Sequence, residues 1–167
     1  MPLRHSRSPL SSERRADPGA ARTAAVALLA KRDFAAGELL AKLTARGFAH
    51  ETARAVIEEL TAAGTLNEAR YAENYVAWHA ARGQGPLRLS ADLRRHGVAE
   101  ALIEAALAGG PDWTVLAGRV RRSKFGSRAP ASWREKARQM RFLQYRGFSS
   151  DHIRAATGAD PDWTEGP

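Results

Sequence analysis

The chain has 167 residues, 44% of them hydrophobic, no cysteine and a net charge of +8. That length is enough to bury a core, while the missing cysteine excludes disulfides, thiolate metal sites and a thiol nucleophile. The longest apolar run, AAVALLA at 24–30, is too short to cross a bilayer and has no signal-peptide flanks, so a cytoplasmic protein that leaves membranes alone is expected.

Residues 1–20, MPLRHSRSPLSSERRADPGA, are rich in Pro, Ser and Arg without an apolar period, and read as a disordered basic tail. Beyond them apolar residues recur at helical spacing, with Gly and Pro as punctuation. Alanine and leucine dominate over valine and isoleucine, which favours helices. A first module, 21–66, is predicted to hold helices at 22–32, 36–45 and 50–63, the last with Ala53, Val56, Ile57 and Leu60 on one face. A second, 67–110, holds helices at 68–81, 86–95 and 99–107; Asn67 suits an N-cap and Pro86 a first helical turn. The third, 111–158, holds helices at 112–124, 132–145 and 149–157. There Asp112 and Ser149 suit caps, and Ser132 with Glu135 makes a capping-box pattern. Residues 159–167 read as a short irregular tail. The expected fold class is all-α: an elongated, curved array of three tandem three-helix modules.

The module boundaries rest on a repeat. Arg46-Gly47-Phe48, His96-Gly97-Val98 and Arg146-Gly147-Phe148 are spaced by 50 residues. Leu43, Leu93 and Leu143 stand four before each glycine, and Ala53, Ile103 and Ile153 six after. The pattern is that of a helical hairpin. Glycine takes the left-handed position that ends the first helix, the next apolar side chain packs back, and the preceding cation faces the negative end of the helix dipole. These nine residues are therefore assigned a structural role as turns. A period near 50 fits tandem three-helix units that contact mainly their neighbours.

The charge is unevenly placed. Between Thr114 and Phe148 ten basic residues face Glu135 alone, the footprint expected for a polyanionic or acidic partner. On the helix from Ser132, a step of about 100° per residue puts Trp133, Ala137, Met140 and Leu143 on one side. Arg134, Arg138 and Arg141, with Tyr145, fall on another. Arg121, Arg122, Lys124 and Arg128 could extend this ridge, and Arg82 and Arg88 flank the turn RGQGP at 82–86. Arginine suits bidentate contact with phosphate or carboxylate; the alternative, that these side chains only solvate the helix, stays open here. Tyr71, Tyr75, Val76 and Trp78 read as core and inter-module packing, Trp78 being the one of them nearest to emerging at an interface, and Trp113 and Trp133 read as core. No His pair has metal-ligand spacing and no phosphate-cradling loop ends in Lys-Ser/Thr. No catalytic residue, metal or cofactor is therefore expected.

The stretches LNEARYAENYVAWHAARGQGPLRLSADLRRHGV, KFG and KARQMRFLQYRGFSSDHIRAA resemble the RecX regulatory proteins of bacteria, over about 24–156. The family tends to begin the helix near residue 36 with a Ser-x-x-Glu cap; Ala35 and Gly37 stand before Glu38 here, so that cap is missing. The resemblance implies a three-module helical protein, expected as a monomer, that binds the filament of the recombinase RecA on single-stranded DNA and inhibits its ATPase, strand exchange and growth. Weak non-specific binding to DNA is also expected. A competing reading is a helix-turn-helix-like protein acting directly on DNA. The helices after the turns, ETARAVIEEL, EALIEAAL and SDHIRAAT, are apolar or acidic, which disfavours reading a groove.

Overall fold

Helical periodicity with glycine and proline breaks produces ten helices and no strand among the described residues, 12–158 of a computed structural model. They are α1 (Ser12–Arg15), α2 (Pro18–Leu29), α3 (Ala36–Ala45), α4 (His50–Ala62), α5 (Glu68–Ala80), α6 (Pro86–Arg95), α7 (Glu100–Ala108), α8 (Trp113–Phe125), α9 (Trp133–Tyr145) and α10 (Ser150–Thr157). The tail expected over 1–20 lies outside the described residues as far as 11, as does the one at 159–167. Inside its remaining part the structure differs: α1 is one helical turn, and α2 starts at Pro18, not at 22. The cause is the Asp-Pro-Gly sequence. Pro18 occupies the first turn, and Asp17 Oδ1 accepts from the backbone N–H of Gly19 (2.8 Å) and Ala20 (3.3 Å). The same helix stops at Leu29, short of the expected 32.

Packing divides the chain into two units. One comprises residues up to Tyr71 together with His96–Val98; the other comprises Ala72–Arg95 and the residues from Ala99 on. In the first unit α2, α3 and α4 pack on one another around Ala25, Leu39, Leu43, Ala53, Val56 and Leu60. In the second, α6 packs on α7, while α8, α9 and α10 close around Leu116, Ala117, Leu143, Phe148 and Ile153.

The first and third copies of the tripeptide form Schellman turns. Phe48 N–H donates to Leu43 C=O (3.2 Å) and Gly47 N–H to Thr44 C=O (2.9 Å). The third copy repeats this with Phe148 to Leu143 (3.2 Å) and Gly147 to Gln144 (2.9 Å). The three glycines share left-handed backbone, with φ of 97°, 81° and 89°. Phe48, Val98 and Phe148 are buried beside them, as the hairpin reading expects.

The missing cap of α3 is replaced from a distance. Ala35 has no side-chain cap hydrogen bond, but Glu68 Oε1, at the start of α5, accepts from Ala36 N–H at 2.8 Å. Gly37 leaves room for the second turn: a Cβ there would stand 3.1 Å from the His96 carbonyl oxygen. The third turn closes on α6 in a related manner, with Gly85 N–H donating to Arg146 C=O (2.7 Å) and Leu87 N–H to Gly147 C=O (3.0 Å). Thus a turn that ends one helix supplies carbonyls to the N–H groups that begin another, which satisfies orphan groups at both ends. The first turn meets the N-terminal segment instead, Ala49 N–H donating to Arg15 C=O at 2.9 Å.

Candidate cationic interface

Helices α8 and α9 carry most of the excess positive charge, and their mutual packing sorts it into two classes. Arg121, expected on the exposed ridge, is corrected by the structure: it is only 5% exposed. Its Nε donates to Gln139 Oε1 (2.9 Å) and its terminal nitrogens to the carbonyls of Gly126 (3.4 Å) and Arg128. The guanidinium fork therefore pins the 126–132 loop to α9, because five fixed donors match several carbonyls at once. Lys136 is buried as well, at 3%, with Nζ donating to Gly158 C=O (2.8 Å) at the end of α10. Both cations hold the bundle together and leave the exposed set.

What stays outside is a genuine ridge. Arg134, Arg138 and Arg141 are exposed on α9 and line, with Glu135 and Ala137, a shallow depression of about 500 Å³. Tyr145 continues it at 78% exposure. Arg138 lies over the Phe125 ring (5.4 Å to its centroid), which fixes the middle of the row. The lone carboxylate, Glu135, is engaged elsewhere: its Oε2 accepts from Ala131 N–H (2.9 Å), while its own N–H donates to Ser132 Oγ (3.2 Å). Ser132 thus caps α9 as expected, and the returning carboxylate closes one residue earlier than a capping box would. Arg122, Lys124 and Arg128 are exposed on α8 and the loop after it.

Arg82 and Arg88 are held individually. Arg82 stacks on Trp78 (3.2 Å to the ring centroid) and donates to the Trp78 carbonyl (2.9 Å). Arg88 Nε stands 4.0 Å from Asp92 Oδ2, and Asp92, buried on α6, also pairs with Arg95 and accepts from Tyr75 Oη (3.4 Å). Among the expected turn residues, Arg46 is exposed, and His96 Nδ1 lies 2.8 Å from Tyr71 Oη. Arg146 departs from the expected role at its own helix end: it donates to the Arg82 carbonyl (3.1 Å) and lies over Phe142. Trp78 emerges, at 54% exposure, but Trp133 does so too at 50%, contrary to its expected core position. Trp133 is the first residue of α9, where no neighbouring turn covers it.

Sequence reasoning passed over Arg119. Helical spacing puts it on the face of Ser123, and the structure sets that face against Arg82 and Arg146. Their convergence depends on how α5, α8 and α9 pack, so no local pattern announces it.

Three tandem matches decide the family: residues 21–60 match the first three-helix domain of RecX, 67–107 the second and 116–157 the third. The chain belongs to the RecX family. The regulatory protein RecX of Halorhodospira halophila is 43% identical over 158 residues, covering 93% of this chain and 98% of that protein. That of Pseudomonas fluorescens Pf-5 is 42% identical over 135 residues, 80% of this chain and 87% of the relative. Among solved structures, the crystal structure of RecX from Lactobacillus salivarius superposes with a TM-score of 0.70 at 21% identity, over 81% of this chain and 91% of that one. The RecX fold, tandem three-helix domains without strands among the described residues, is thereby shared at a sequence distance where only the architecture is carried across.

Proposed function

We propose that the protein is a regulator of RecA that binds the recombinase filament on single-stranded DNA and inhibits its ATPase, strand exchange and growth. The observation that carries this reading is membership of the RecX family over all three domains. The exposed row Arg134, Arg138 and Arg141 supports it, with Arg122, Lys124 and Arg128 beside it, because the row offers a partner rich in phosphate or carboxylate several cations against a single carboxylate, Glu135. Inhibition needs no chemical step: a protein that binds one filament state more tightly shifts the population toward it by that difference in affinity. The protein acts as a monomer, without cofactor, in the cytoplasm where RecA works.

A helix-turn-helix mode of direct DNA reading is disfavoured by the surfaces of the helices after the turns. On α10 Asp151 is paired by Arg154, but the outer face of α4 presents Glu51, Glu58 and Glu59 and that of α7 Glu100 and Glu104. Such faces would be repelled by phosphates lining a groove.

The test is RecA's DNA-dependent ATPase at substoichiometric protein, set beside a titration of bare DNA. Inhibition well below coverage of the DNA is the expected result; inhibition only once bare DNA is saturated would replace the filament target with simple competition. In the same assay, Arg134, Arg138 and Arg141 changed together to Glu should leave the melting curve intact. The half-inhibitory concentration should rise about tenfold or more, as three exposed charge contacts of roughly 0.5 kcal/mol each reach one decade. Unaltered inhibition would remove the ridge from the mechanism.

A further inference from the structure

A second cleft, of about 350 Å³, opens between the end of α5, the outer face of α8 and the end of α9. Its floor is apolar, made by Leu116, Val120 and Phe142, and its rim carries Arg82, Arg119, Lys124 and Arg146 with the Ser123 hydroxyl. No carboxylate lines it, and none of the four cations has an ion-pair partner among the described residues. Four like charges around one concavity repel each other and focus a positive potential into it, which an anion relieves. Two of the guanidiniums are already held in place. Arg82 is fixed by the ring and carbonyl of Trp78, and Arg146 by the Arg82 carbonyl and the face of Phe142. Little side-chain entropy would be lost on binding. Gly83 holds the α5 end close: a Cβ there would come within 2.9 Å of Val120 Cγ2.

We propose that this cleft binds a nucleoside phosphate, its phosphate among Arg82, Arg119, Lys124 and Arg146 and its base on Val120 and Phe142. An apolar floor with a few convergent polar groups is the make-up of small-ligand sites, and the volume lies at their lower end, about 300–1,000 Å³, which suits one nucleotide unit. The unit could belong to a single strand or be a free nucleotide; the chemistry is the same. The proposal shares Arg82 and Lys124 with the wider cationic surface and rests on the RecA reading in no other way.

The experiment titrates the full chain with ADP and with inorganic phosphate by calorimetry, and with a fluorescein-labelled oligothymidylate by anisotropy. Two variants accompany it: Arg119→Ala with Lys124→Ala, which removes rim charge while sparing the two anchored arginines, and Ser123→Trp, which fills the cleft without changing charge. Melting curves establish that each folds. The expected result is binding of ADP or the oligonucleotide that weakens by roughly tenfold or more in both variants, with inorganic phosphate bound at least about tenfold less tightly than the nucleotide. ADP binding identifies a free-nucleotide site, and oligonucleotide binding without ADP binding identifies a strand site. No binding of either, affinities unmoved by both variants, or phosphate bound as tightly as nucleotide would each overturn the proposal. The Arg134/Arg138/Arg141 variant should keep ADP affinity, so loss of RecA inhibition and loss of the cleft can be told apart.

Discussion

At the scale of single residues, two side chains show how burial changes a group's task. Arg121 is buried with each of its three guanidinium nitrogens donating, one to Gln139 and two to loop carbonyls. Lysine would retain the charge but not the planar fork. Arg121→Lys should cost about 2 kcal/mol, the worth of lost charge-assisted hydrogen bonds, read from urea denaturation, and should loosen amide protection in 126–132. His79 lies against Tyr75 and Trp78 (centroids at 4.1 and 4.6 Å), and neither its buried Nδ1 nor the buried Gln84 Oε1 makes a hydrogen bond. Burial, the largest influence, pushes the imidazole below its ordinary range, with Arg82 and Arg88 adding to it and Asp92 opposing. A depressed histidine is neutral in the folded state while the unfolded chain still takes up a proton near pH 6.5. Its contribution is therefore intact above about pH 7 and is lost as pH falls through about 6.5 toward the folded value. His79→Phe should flatten that part of the stability profile; an unchanged slope would dismiss His79 as its source.

At the scale of elements, the glycines separate two reasons for having no side chain. Gly64 has φ of 70° with nothing within 4 Å of where a Cβ would stand, so only its backbone needs glycine. Gly85 has no left-handed backbone, yet its Cβ would meet the Gly147 carbonyl group and Phe148 N at 2.5 Å. Gly147 combines both, with φ of 89° and Arg88 Cβ at 2.4 Å. Gly64→Ala should cost about 1 kcal/mol, the penalty of left-handed backbone. Gly85→Ala and Gly147→Ala should cost about 3 kcal/mol or more, since backbone rather than a flexible side-chain tip must move. Equal losses in chemical denaturation would mean that the α6 approach is slack. The turn chemistry was legible from Arg-Gly-Phe and its spacing. The approach of Gly85 to Gly147 was not, because 62 residues separate partners that only packing brings together.

At the scale of the whole molecule, the turns make one module depend on another for its hydrogen bonds. The carbonyls of Arg146 and Gly147 satisfy the N–H groups of Gly85 and Leu87, so α6 is completed by the third module. A chain ended after Gly110 should keep slow amide exchange in α2, α3 and α4, whose core lies within the first unit. It should lose protection in α6, where those two carbonyls are gone and the N–H groups of Gly85 and Leu87 open to water. Full protection of α6 in that fragment would show that each module closes by itself. Such nearest-neighbour dependence is the general behaviour of tandem repeats.

The amino-acid sequence alone determined the helices, their caps at Asn67, Asp112, Ser132 and Ser149, and the threefold turn, since each depends on residues within a few positions of one another. It also placed the positive charge on the last module, as a count along the chain suffices for that. Tertiary structure decided which cations face solvent. Arg121 and Lys136 went inward, while Arg119 and Arg146 met Arg82 around a cleft. Composition records a charge but not its partners, and whether a guanidinium meets a carbonyl or an open concavity depends on helices brought together from distant parts of the chain.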